Sequence, residues 1–146
     1  MIYSEKKTNL FDMDKKYYLA HCISADVGID NRAMGLGIVV EFNKKYNIKS
    51  KIRNYVKTNN VNVGDAILID NIFNLITKGK YYGKPTYKTM RIALKTMKYQ
   101  IIKNDIKYLA MPKIGAGLDR LSWAKVREMI KEIFDSVDIE ILVCYL

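Results

Sequence analysis

The spacing of apolar and polar positions changes several times along the chain. Ile2–Lys6 and Tyr17–Ile23 are short apolar-rich runs of strand character, the second ending in Ser24-Ala25-Asp26. Met34-Gly-Leu-Gly-Ile-Val-Val-Glu-Phe42 predicts a glycine turn feeding a helix, and Ile48–Lys57 a second, strongly basic helix. Ala66–Asp70 and Ile72–Thr77 flank Asp70-Asn71, a hairpin signal. Thr86 can cap a long helix along which Met90, Leu94, Met97 and Ile101 recur at helical spacing as a core stripe. Tyr108–Met111 reads as a buried strand leading into Pro112 and a glycine loop. Ser122 can cap a last helix with Val126, Ile130, Ile133 and Phe134 on its apolar face, and Ile139–Tyr145 closes the chain as a strand.

Helices connect most of these strands. That predicts an α/β fold with a mixed sheet of about six strands and helices on both faces. Ligands of such sheets bind beyond the carboxyl ends of strands, which directs attention to the loops after Ile23, Thr77 and Met111.

Composition narrows the function classes. A chain of 146 residues with 49% hydrophobic and 27% charged positions fits one globular domain, 1–146. No apolar run approaches the roughly 18–20 residues of a membrane span, and the first seven residues lack the apolar stretch of a signal peptide. A cytoplasmic monomer without membrane contact is expected. Twenty-five Lys and Arg against fifteen Asp and Glu give a net charge of +10, which favours a polyanionic partner: nucleic acid or a phosphate-rich small ligand. The basic segment Lys44–Lys57, with Lys44, Lys45, Lys49, Lys51 and Arg53, is the candidate phosphate-backbone surface. It lacks a clustered aromatic platform despite Tyr46 and Tyr55, and its ordinary reading is a solvated face. Cys22 and Cys144 sit in apolar runs, as reduced core cysteines do. With one histidine, His21, and no C-x-x-C, neither a zinc site nor any other metal or cofactor is expected. Taken alone, His21 reads as a strand residue rather than a base.

Four features carry possible chemistry. Gly35-Leu36-Gly37 precedes a helix, and Gly115-Ala116-Gly117 follows a strand; such loops let backbone N–H groups approach phosphate oxygens. Each motif is weak alone and gains weight from its placement. Lys78 ends a strand, where a desolvated neutral amine can act as nucleophile, although an isolated lysine is ordinarily a surface residue. Asp119 follows the second glycine loop. A carboxylate there would repel a diphosphate unless it faces another part of the ligand; its plain reading is a turn acid.

Tyr18-Leu-Ala-His-Cys-Ile-Ser24, Met34-Gly-Leu-Gly-Ile38, Leu75-Ile-Thr-Lys78, Lys84-Pro-Thr-Tyr87 and Met111-Pro-Lys-Ile-Gly-Ala-Gly-Leu-Asp-Arg-Leu-Ser-Trp123 together resemble the macrodomain family, and within it the terminal ADP-ribose protein glycohydrolase branch. The resemblance runs in order from about Thr8 to Leu146. It implies a three-layer α/β/α sandwich around a mixed six-stranded sheet, with ADP-ribose as ligand. It places Gly35 and Gly37 near the distal ribose, and Ile114, Gly115, Ala116, Gly117 and Leu118 around the diphosphate. Asn9, Leu10, His21, Ser24, Ile38 and Pro112 are further contacts it implies. Lys78 matches the nucleophile that attacks the anomeric carbon of the distal ribose, and Asp119 the acid that helps resolve the lysyl intermediate. The implied activity is removal of ADP-ribose from acidic side chains of proteins, from nucleic-acid bases or ends, and from O-acetyl-ADP-ribose. A non-catalytic ADP-ribose reader is the alternative, and it would need neither Lys78 nor Asp119. Two departures stand out. Asn9 occupies a position where the family has an Asp that accepts from the adenine amino group, which predicts weaker adenine binding. Extra residues Val27–Arg32 are expected near the distal ribose.

Overall fold

A computed structural model describes all 146 residues. Six strands form one sheet: β1 (Ile2–Lys7), β2 (Tyr18–Ser24), β3 (Ala66–Ile69), β4 (Ile72–Lys78), β5 (Tyr108–Met111) and β6 (Glu140–Tyr145). Their spatial order is β1-β6-β5-β2-β4-β3. All neighbours are parallel except β3, which runs antiparallel to β4. The exception arises from the connection. Asp70 and Asn71 both take positive φ, 50° and 65°, the two-residue turn that folds a chain straight back. The parallel neighbours need longer crossovers, and four helices supply most of them: α1 (Ile38–Tyr46), α2 (Ile48–Val56), α3 (Tyr87–Lys103) and α4 (Trp123–Phe134).

Side-chain alternation on the central strands builds two cores. On β4, Phe73 and Leu75 face α3 and α4, while Ile72 and Ile76 face α1 and α2. The α3/α4 core includes the stripe Met90, Leu94, Met97 and Ile101, all fully buried, and Val126, Ile130, Ile133 and Phe134 of α4. The α1/α2 core includes Val39, Phe42, Ile48 and Ile52. The result is the expected α/β/α sandwich. Both expected caps form: Thr86 Oγ1 accepts from Thr89 N, and Thr89 Oγ1 accepts from Thr86 N. Ser122 caps α4 through Lys125 N. Caps of this kind contribute about 1 kcal/mol each. No helix is long and apolar enough to cross a membrane.

Two neighbouring residues on β2 and β4 depart from the apolar pattern. His21 and Asn74 are register partners on the α1/α2 face, both fully buried. Asn74 Nδ2 donates to the carbonyls of Ile67 and Ile72, so its Oδ1 accepts from His21 Nε2. The imidazole lies stacked on Phe42, with ring centroids 4.1 Å apart.

Candidate active site

The carboxyl ends of β2, β4 and β5 open onto a cavity of about 860 Å³, a size suited to a small-molecule ligand. Its walls are the three loops that the strand pattern pointed to. A bulge sets the key side chain. Ile23 pairs with Ile76 but Ser24 pairs with Lys78, so Thr77 is an extra residue on β4. An inserted residue breaks the strict alternation and re-aims the next side chain. Lys78 consequently lines the cavity, where its Nζ lies 2.8 Å from Asp119 Oδ1. Both side chains are only 16% exposed, so water screens this pair far less than a surface ion pair. Cys22 lines the same wall; burial, reinforced by the Asp119 charge, pushes its thiol up to about 12 and keeps it neutral.

The opposite walls offer backbone donors. The amides of Gly35, Leu36, Gly37 and Ile38, leading into α1, donate to no other protein group, and neither do those of Gly115, Gly117 and Leu118. Unpaired N–H groups at a helix start and along a glycine loop favour an anion. The side chains agree: Arg32, Lys78, Lys84 and Lys113 line the cavity against one carboxylate, Asp119. Lys84 Nζ donates to the Leu118 carbonyl at 2.6 Å and ties the post-β4 loop to the glycine loop. Gly115 has φ +74°, and a Cβ there would sit 2.8 Å from Met90 Cε and 3.1 Å from Leu121 Cδ1. Gly115→Ala is therefore expected to cost about 1–2 kcal/mol of stability. Urea denaturation at neutral pH checks this; an unchanged midpoint would show that the loop has another accessible conformation.

Most of the expected ligand contacts converge on this cavity. Ser24, Gly35, Gly37, Ile38, Pro112, Ile114, Gly115, Gly117 and Leu118 line it together with Lys78 and Asp119. Four do not. His21 is fully buried under Phe42 on the α1/α2 side of the sheet, so its expected role as a ligand contact is corrected to a core role. The Leu10 side chain is buried in the same core and likewise does not line the cavity. Asn9 lies outside the lining and is exposed; its Oδ1 accepts from Phe11 N at 3.0 Å and caps the short 3-10 turn Leu10–Asp12. Ala116 lies on the glycine loop outside the lining.

Two lining residues, Tyr81 and Tyr82, fall outside every motif of the sequence reading, and Arg32, from the Val27–Arg32 segment expected near the distal ribose, lines the cavity with them. Arg32 pairs with Asp30 at 3.0 Å and places its guanidinium 5.1 Å from the Tyr81 ring centroid. Asp26, a buried carboxylate, accepts from Ser24 Oγ and from Tyr81 N, and so joins the loops after β2 and β4. No periodicity marks such loop-to-loop bonds. The basic residues Lys44, Lys45, Lys49, Lys51 and Arg53 lie on α1 and α2, each already bonded within the chain: to Glu41, the Phe11 carbonyl, the Asn31 carbonyl, Asp70 and Asn31 Oδ1 respectively.

No family model matches the chain. It is 40% identical over 141 residues to the ADP-ribose glycohydrolase OARD1 of Homo sapiens, covering 94% of this chain and 87% of that protein. The Bos taurus ADP-ribose glycohydrolase OARD1 is 38% identical with the same coverage. Among solved structures, the macrodomain of Mycobacterium tuberculosis DarG matches with a TM-score of 0.86 at 20% identity, over 99% of this chain and 98% of that one. Thermosipho africanus DarTG in complex with ADP-ribose matches with a TM-score of 0.80 at 17% identity, over 98% of this chain and 41% of that one. Likeness at these structural identities speaks to the shared fold.

Proposed function

Because the chain belongs to the macrodomain family of ADP-ribose glycohydrolases, we propose that its 860 Å³ cavity binds ADP-ribose and that Lys78 and Asp119 release it from modified macromolecules. The observation that carries this reading is the 2.8 Å contact between Lys78 Nζ and Asp119 Oδ1 at the bulged end of β4.

The diphosphate is a dianion and suits the unpaired amides of the two glycine loops. With the diphosphate held there, the distal ribose reaches the Lys78 end. Attack needs the neutral amine, the form with a lone pair to offer. The neutral amine attacks the anomeric carbon; the C–O bond to the modified side chain breaks, and a carboxylate leaves with the bonding pair. Opening of the ribose ring converts the N-glycosyl adduct into a Schiff base, the ring oxygen taking up the proton. Water then adds to the imine carbon with Asp119 moving the proton, the C–N bond breaks, and free ADP-ribose and lysine are restored. No three His, Cys, Asp or Glu side chains gather to hold a metal ion, and these steps require none.

Release from an ADP-ribosylated glutamate peptide and from ADP-ribosylated thymidine, assayed side by side, tests the reading and its substrate. Wild type is expected to release ADP-ribose from at least one of them. Asp119→Ala is expected to permit attack but to resolve the adduct slowly, so that intact-protein mass spectrometry shows an ADP-ribose adduct mapping to Lys78. Wild type that releases nothing from either substrate would overturn the hydrolase reading.

A further inference from the structure

A second cavity, of about 640 Å³, lies on the far side of the Val27–Arg32 segment. That segment is a partition: Val27, Gly28, Ile29 and Asn31 face the second cavity, whereas Arg32 faces the first. The partition is pinned. Lys49 Nζ donates to the Asn31 carbonyl at 3.0 Å, and Arg53 Nη2 donates to Asn31 Oδ1 at 3.1 Å.

The second cavity has an unusual chemistry for a surface hollow. Its floor is apolar, formed by Val27, Val56 and Val61. Its rim carries amide side chains, Asn31, Asn59, Asn60 and Asn62. The only charged groups lining it are Arg53 and Lys57, and no carboxylate lines it. The Lys57 ammonium has no ion-pair or hydrogen-bond partner, and Arg53 keeps its other guanidinium N–H groups unused. An all-cationic charge set excludes a metal ion and selects an anion. An apolar floor takes a flat ring. Asn59 Nδ2 is taken by the Tyr55 carbonyl and Thr58 Oγ1, and Asn31 Oδ1 by Arg53, but Asn60 and Asn62 each keep donor and acceptor free side by side, the pattern that ring edges with both functions require. A nucleotide combines a flat, doubly functional ring with an anionic group in this volume.

We infer that the second cavity, between the Val27–Arg32 segment and the α2 end, is a nucleotide site: phosphate on Arg53 and Lys57, base over Val27, Val56 and Val61 within reach of the asparagine amides. The nucleotide can come free or as one unit of a polynucleotide strand.

Amide NMR of the full 146-residue chain locates binding without relying on turnover. Uridine 5′-monophosphate is the probe, because an adenosine nucleotide is itself part of ADP-ribose and would enter the first cavity. It is expected to shift the amides of Gly28, Asn60, Val61 and Asn62, with uridine and ribose 5-phosphate each at least about tenfold weaker. ADP-ribose is expected to shift Gly35, Gly37, Gly115 and Gly117 instead, so a failure of the ADP-ribose reading registers separately. Lys57→Ala and Asn60→Ala should each weaken the nucleotide at least about tenfold and leave the ADP-ribose shifts in place. A tetrauridylate binding more than tenfold tighter than the mononucleotide, and weakening with added salt, identifies a strand as the source; equal affinities identify a free nucleotide. Silence of Gly28 and Asn60–Asn62 at millimolar probe, ribose 5-phosphate matching the nucleotide, or shifts confined to the Gly115 loop would each overturn the site.

Discussion

Replacing Lys78 with alanine is expected to slow ADP-ribose release from an ester substrate by at least about a thousandfold, while affinity for free ADP-ribose stays within about tenfold. The asymmetry reflects the division of labour across the cavity. The unpaired amides of the Gly35–Ile38 and Gly115–Leu118 stretches and the remaining lining cations Arg32, Lys84 and Lys113 survive the substitution. The group lost is the only amine within hydrogen-bond distance of Asp119. A group that acts only as bonds break lowers turnover without a matching loss of binding. Lys78→Arg should be as inactive as Lys78→Ala, because a guanidinium stays protonated and has no lone pair to offer. That variant keeps a cation beside Asp119, so it also separates nucleophile from mere charge partner. Turnover by gel or chromatographic release and affinity by calorimetry give the two readouts. Wild-type turnover in Lys78→Ala would sink the covalent route. Lys78→Arg retaining most activity would reduce the lysine to an electrostatic role.

The reason this lysine was legible, and its neighbours less so, lies in how each is placed. Lys78, Asp119 and both glycine loops stand at the junctions of periodic segments, where a change of period marks a strand end or a helix start. The Asp70-Asn71 turn and the caps at Thr86 and Ser122 are likewise local signals whose chemistry is complete within four residues. Tyr81 and Tyr82 enter the cavity from a loop without periodicity, which Asp26 holds by accepting from Tyr81 N across fifty-five residues, and no local pattern announces that. The same holds for the second cavity, whose walls come from three segments between Ala25 and Asn62. His21 failed as a ligand for a different reason. Strand alternation alone puts it on the face of Leu19 and Ile23, away from Cys22, and the bulge that brings Lys78 into the cavity lies beyond it. Its position on the strand was right, and its side chain points into the core.

That core position makes His21 the residue through which mild acid should weaken the fold. Its Nε2–H donates to Asn74 Oδ1, so protonation must occur at Nδ1, which is buried without a hydrogen-bond partner. Burial therefore lowers the imidazole from the ordinary 6.5 to about 4, partly offset by the Asn74 bond, which favours the charged form. Between those values the unfolded chain binds a proton that the folded chain refuses, so stability falls as pH drops from about 6.5 towards 4. The difference corresponds to about 3 kcal/mol by pH 4, a large part of the 5–15 kcal/mol that holds a typical domain. Because the chain has one histidine, its ring signal in proton NMR needs no assignment. The folded protein should show no His21 titration between pH 7.5 and 5.5, while urea midpoints fall across pH 6.5 to 4.5. His21→Gln, which retains a donor for Asn74, should lose the part of that fall due to one proton even if its midpoint is lower at every pH. A ring titrating near 6.5 in the folded protein would mean that water reaches Nδ1 and that this core opens in solution.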